Sequence, residues 1–264
     1  MKRLYLVALL GIGVLALAGC RRGGGLGGNP EVVEKVATNQ GADLKLTWKS
    51  VEGAEGYKVY CDGNKIWDGK DTTYTIQGSS HVCKTVEVSA FAGKDEQKAP
   101  IIDLAPESST ITGLVTHDIL TGNSWVKLDF TNGKAISVRQ SDVNPNAPNI
   151  GWFIFYNNSG PYFVDASEIS SVGQAKMEVA FTNKSSSGHF APPKGNYATV
   201  EETAANAYHF FWADNTSTGY NEMDNNDYFG VIRVTDLRTS SPGYTADLTI
   251  YIQNKVPGLR WVKF

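Results

Sequence analysis

Short runs in which apolar and polar residues exchange at every step recur along this chain, and they restrict it to β-structure. Leu44-Lys45-Leu46-Thr47-Trp48, Gly56-Tyr57-Lys58-Val59-Tyr60, Thr73-Tyr74-Thr75-Ile76 and Thr85-Val86-Glu87-Val88-Ser89-Ala90 all carry the period of two that sends alternate side chains to opposite faces of a sheet. One face of each run is apolar enough to be buried, as in a sandwich. Long apolar stretches with the helical period are absent, and charged residues make up only 19% of the chain while Gly, Ser, Thr and Asn are plentiful. The predicted fold class is therefore all-β, and 264 residues are enough for two domains.

The first residues are of a different kind. Met1-Lys2-Arg3 precedes an apolar stretch from Leu4 to Ala18, then Leu17-Ala18-Gly19-Cys20 and two arginines. A basic start, a short apolar run and small residues before a cut describe a signal peptide, and the run is too short for a membrane-spanning helix. The Leu-Ala-Gly-Cys tetrad resembles the lipobox of bacterial lipoproteins. That resemblance implies a leader over 1–19, a mature chain starting at diacylated Cys20, and attachment to a cell membrane or outer membrane through buried acyl chains. Arg21 stands where the family's inner-membrane retention signal would have Asp, which favours the outer membrane, with the protein facing the periplasm or exterior. Residues 20–29, mostly glycine after the cysteine, read as a flexible tether. The formal net charge is −3, becoming −5 once Lys2 and Arg3 leave with the leader, and this mildly acidic balance argues against a nucleic-acid partner.

The segment 30–99 closely resembles a fibronectin type III domain, of immunoglobulin-like fold. The resemblance rests on a proline near the start, Leu46-Thr47-Trp48, the run Val51-Glu52-Gly53-Ala54-Glu55-Gly56-Tyr57-Lys58-Val59-Tyr60, and Val86-Glu87-Val88-Ser89-Ala90. In that fold the third strand runs antiparallel to the sixth, so Cys61 and Cys83 fall beside each other. The resemblance thus implies a disulfide between the two cysteines that remain once Cys20 is lipidated.

A short linker near Lys94 to Pro106 leads to a second unit over 106–264, with no close family. Trp125-Val126-Lys127-Leu128-Asp129-Phe130 and Ala135-Ile136-Ser137-Val138 flank Asn132-Gly133, predicting a tight hairpin. Further strands are expected at 152–156, 162–164, 176–181, 208–213, 228–234, 246–253 and 259–264, which together predict a second sandwich or jelly-roll-like domain. Thr199-Val200-Glu201-Glu202 has capping-box spacing and predicts a short helix to about Asn206. The strand pattern of Tyr228–Val234 followed by Ala246–Gln253 looks like the closing hairpin of haemophore-like surface lipoproteins, with no axial-ligand residue to carry over.

No catalytic motif stands out. His81, His117, His189 and His209 lie far apart without metal spacing, and neither a nucleophile elbow nor a phosphate loop occurs. Between Trp212 and Tyr228, the residues Asp214, Asn215, Asn221, Glu222, Asp224, Asn225, Asn226 and Asp227 crowd together. Hard oxygen ligands at that density could hold Ca²⁺, with Asp224 and Asp227 the candidate ligands, although the spacing is not that of an EF-hand. Aromatics cluster at 152–156, 162–163 and 208–212, and alternation assigns most of them to the core. Tyr156, Trp212 and Tyr220 abut polar loops and are the candidate ligand-stacking residues. The expected function is a membrane-anchored envelope lipoprotein acting as a non-catalytic binding or adhesion module for carbohydrate or another extracellular ligand. The alternatives are a structural component that contacts another envelope protein, and a hydrolase.

Overall fold

The computed structural model describes residues 25–116, 122–157, 159–172, 175–183, 189–215, 220 and 222–264. The segment expected to be a leader, Cys20, His117 and Asn221 lie outside the described residues. The chain is all-β, built from antiparallel sheets that form two sandwiches.

The first sandwich sets β1 (Val32–Thr38), β2 (Asp43–Trp48) and β5 (Thr73–Ile76), in the order β1-β2-β5, against β3 (Gly56–Cys61), β4 (Asn64–Gly69), β6 (Thr85–Ala92) and β7 (Asp95–Lys98), in the order β4-β3-β6-β7. A further short strand, β8 (Ile102–Asp103), also pairs with β6. The alternation works as expected: Leu44, Leu46, Val59, Val86 and Val88 are fully buried between the sheets. Cys61 and Cys83 are disulfide-bonded, with Cα atoms 5.4 Å apart.

The second sandwich contains β9 (Glu107–Val115), β10 (Trp125–Asp129), β11 (Lys134–Val138), β12 (Ile150–Asn157), β13 (Pro161–Asp165), β14 (Glu178–Thr182), β15 (Tyr197–Ala198), β16 (Val200–Glu202), β17 (Tyr208–Asp214), β18 (Tyr228–Ser240) and β19 (Gly243–Gln253). One sheet has the order β11-β10-β12-β13-β16 and the other β15-β14-β17-β18-β19-β9. The Asn132-Gly133 turn joins β10 to β11 as predicted, with Gly133 at φ 63. Phe153, Phe155, Phe163, Phe181 and Phe211 fill the space between the sheets. Both outer faces are apolar too. Trp125, Trp152 and Ile154 pack under the partly buried Val143, Ala147, Ile169 and Val172, while Phe210, Trp212, Phe229 and Val231 pack with Ala191 and Val262.

Several expectations need correction. The helix expected from Thr199 is instead β16, which extends the sheet by pairing with β13. Thr199 Oγ1 donates to Glu168 Oε1 at 2.6 Å, so its hydroxyl is used across the sheet rather than for a cap. The expected strand at 259–264 is reduced to an isolated bridge between Trp261 and Phe190. The linker at 94–106 is largely part of the first sandwich, since β7 and β8 pair with β6 and Leu104 is buried in its core. Part of the segment expected to be a tether, residues 20–29, is docked: Leu26 packs on the first sandwich and Gly27 N donates to Glu52 O at 2.9 Å.

The boundary at residue 106 does not separate two self-contained cores. After β19 the chain returns to the first sandwich, and Val256, Leu259 and Trp261 complete its core. Trp261 Nε1 donates to Ala42 O at 2.8 Å, Arg260 N to Gly41 O at 2.9 Å, and Lys263 Nζ to Asp62 Oδ2 at 2.7 Å. Gly41, at φ 78, is needed here, because a Cβ would stand 2.0 Å from the Gly258 carbonyl oxygen. Gln253 Nε2 ties the junction by donating to both Leu104 O and Trp261 O.

Candidate functional site

Strand β17 shows how alternation distributes the aromatics. Phe211 and Ala213 enter the core between the sheets, whereas Phe210 and Trp212 point to the outer face of the six-stranded sheet. His209, fully buried, lies 2.9 Å by Nε2 from Thr203 Oγ1 and 2.8 Å by Nδ1 from Thr182 O. Its ring meets Phe163 edge-on, which makes it a satisfied core histidine.

Trp212 is 1% exposed, so it offers no face for a ligand to stack upon. Its indole Nε1 donates to Asp227 Oδ2 at 2.9 Å. The half-buried Tyr220 meets Trp212 edge-on with centroids 5.4 Å apart, and its hydroxyl is buried without a hydrogen-bond partner among the described residues. Burial, reinforced by the charges of Asp165, Glu178 and Asp214, pushes the Tyr220 phenol far up. Tyr156 belongs to the other sheet, packed with the cluster around Trp152. The three expected stacking residues therefore form no common platform. The strand period placed Trp212 on an outer face, but the segments that cover that face are distant in sequence.

The Asp/Asn-rich stretch is likewise turned inward. Asp227 is fully buried, its Oδ2 accepting from Trp212 Nε1 and from Asp224 N at 2.9 Å, and its Oδ1 from Asn215 N at 3.4 Å. Asp224 Oδ1 accepts from Asn226 N at 2.6 Å. These oxygens are spent on N–H groups that shape the loop, and no group of three or more His, Cys, Asp or Glu among the described residues is arranged to hold a metal ion. Asp224 and Asp227 thus organise this loop through the N–H groups they accept from.

Asp165, which the sequence reading did not single out, has the same character. Its Oδ2 accepts from Val179 N at 2.6 Å and its Oδ1 from Ser167 N at 2.7 Å. Burial raises the pKa of Asp165 to about 6 and that of Asp227 to about 7 despite these bonds. Carboxylates near neutrality suit acid–base chemistry, but both are fully buried and committed to backbone N–H and side-chain donors.

An open groove of about 630 Å³ lies beside the short edge strand β15. Its apolar wall is Phe190, Tyr197 and Phe210, and its polar rim includes Asn183, Asn196 and Glu201. Each wall residue is held from behind. Arg260 sits 4.7 Å over the Phe190 ring and donates from Nη1 to Ala191 O at 2.9 Å. Tyr197 donates its hydroxyl to Pro192 O at 3.1 Å and packs edge-on against Trp212. Trp212 therefore backs the groove wall rather than facing the groove. Phe210 is fixed by β17, its N–H donating to Thr182 Oγ1 at 3.1 Å. Gly195-Asn196-Tyr197 does place an aromatic beside an amide in a turn-rich stretch, a signal of the same kind as the one at Tyr220.

No family model matches the chain, and no curated protein matches it in sequence. The groove's own chemistry carries the functional reading.

Proposed function

We propose that this protein is a lipid-anchored cell-envelope lipoprotein, attached through Cys20, whose second sandwich binds carbohydrate non-catalytically in the groove beside β15. The observation that carries this reading is the groove lining, with Phe190 and Tyr197 partly exposed next to the exposed amides of Asn183 and Asn196. Apolar ring faces take up the C–H face of a sugar, and amides and carboxylates bond its hydroxyls. The first sandwich is read as a fibronectin type III unit; its arrangement of three strands on four and the motifs around Trp48 and Tyr57 support that assignment.

The test is a thermal-shift screen of the mature chain against soluble neutral and uronate-containing polysaccharides. Ligand at a hundred times its dissociation constant should add about 2.7 kcal/mol of stability. Tyr197→Ala and the exposed Asn196→Ala should each weaken that shift. No shift with any polysaccharide refutes the reading, and a shift unchanged in both variants removes the groove from it.

A further inference from the structure

We propose that the end of the first sandwich formed by the loops at 49–55, 70–72 and 93–94 faces the lipid headgroups, with the second sandwich held on the side away from the membrane. This inference rests on the anchor at Cys20. The strand directions give the first sandwich two distinct ends. Strand β2 pairs with β1 so that Trp48 lies opposite Val32 and Asp43 opposite Thr38. Strand β3 pairs with β6 so that Gly56 lies opposite Phe91 and Cys61 opposite Val86. The loops after Trp48, Gly69 and Ala92 therefore share one end, and the turns at Asn39–Ala42 and Asp62–Gly63 share the other.

The chain enters at the first end, where Leu26 is packed and Gly27 N bonds Glu52 O. Only residues 21–25 separate Cys20 from that docked point, a reach of roughly 20 Å even when fully extended. The second sandwich grips the opposite end, through Arg260 N to Gly41 O, Trp261 Nε1 to Ala42 O, and Lys263 Nζ to Asp62 Oδ2 and Val82 O. Six-residue strands separate the ends by about 20 Å. A short tether at one end and a bulky domain fastened to the other favour this orientation.

A groove of about 720 Å³ opens at the membrane-facing end, lined by Val51, Tyr57, Phe91 and Lys70 among others. Lys49, Lys70 and Lys94 are balanced there by Glu52, Glu55 and Asp71. The short tether, rather than net charge, places this surface on the headgroups, so the orientation should persist in high salt.

The experiment uses full-length protein, processed and lipidated in a bacterial host and reconstituted in phosphatidylethanolamine/phosphatidylglycerol vesicles. A fluorophore is placed at Lys94→Cys or at Asn64→Cys, both exposed and at opposite ends, and is quenched by headgroup-labelled lipid. Quenching at least about two-fold stronger at position 94 than at 64 is expected from that spacing. Equal or reversed quenching with Cys20 acylated, as read by mass spectrometry, overturns the orientation and leaves the anchor intact. An unmodified Cys20 overturns the anchor and the orientation with it.

Discussion

Trp261→Ala tests whether the last residues are structurally part of the first sandwich. Trp261 is fully buried in the cluster that also holds Leu44, Leu46, Ile76 and Leu259, and its Nε1 donates to Ala42 O at 2.8 Å. Truncating a buried tryptophan costs about 3–5 kcal/mol through lost burial and the cavity left behind. The lost hydrogen bond adds about 1 kcal/mol. Against a typical domain stability of roughly 5–15 kcal/mol, a total near 4–6 kcal/mol leaves the first sandwich marginal. At about 4–8 °C per kcal/mol for a domain of this size, its melting midpoint should fall by roughly 15 °C or more. Calorimetry gives the size of the loss, and amide hydrogen exchange gives its location. Protection should drop first in β1, β2 and β5, more than 170 residues away in sequence, while β10 and β12 keep theirs. Trp261→Phe, which keeps most of the apolar volume and loses the N–H with two ring carbons, should cost less. A loss under about 1 kcal/mol, or one confined to the second sandwich, would refute the shared core.

Two further predictions concern stability. Replacing Cys61 and Cys83 together by serine, which opens a loop closed across 22 positions, should lower unfolding stability by about 3 kcal/mol in urea titrations; a change near zero would mean the bridge does not restrict the unfolded chain. Asp165 and Asp227 have ordinary values of 3.8 but titrate near 6 and 7 when folded, so each favours the protonated folded state. Their contribution is whole below the unfolded value and is lost as pH rises through those folded values, so Asp227→Asn should lose less stability than the parent chain between about pH 5 and pH 8. Glu96 does not confuse this window: burial opposes its ionisation, but hydrogen bonds from Lys58 and Tyr60 outweigh burial and hold it at about 2. Identical pH profiles would show that Asp227 is not buried as described.

Much of the architecture is set by local chemistry. Alternation at Leu44–Trp48 and Thr85–Ala90 dictates strands with one buried face, and Asn132-Gly133 dictates a hairpin, because these depend on side-chain direction and on φ alone. Tertiary structure alone decided the rest. Trp212 and Asp227 look like ligand-facing residues in a polar loop, yet they are joined to each other in the interior because the segments around Ala191 and Val262 cover their sheet. Val200–Glu202 has helix-start spacing, but the free edge of β13 claims it for a sheet. Trp261 lies in the segment expected to close the second domain and instead fills the first, since the core it completes is assembled from strands more than 150 positions earlier. A period of two determines which side chains share a face; what covers that face depends on contacts between residues far apart in sequence, which no local pattern encodes.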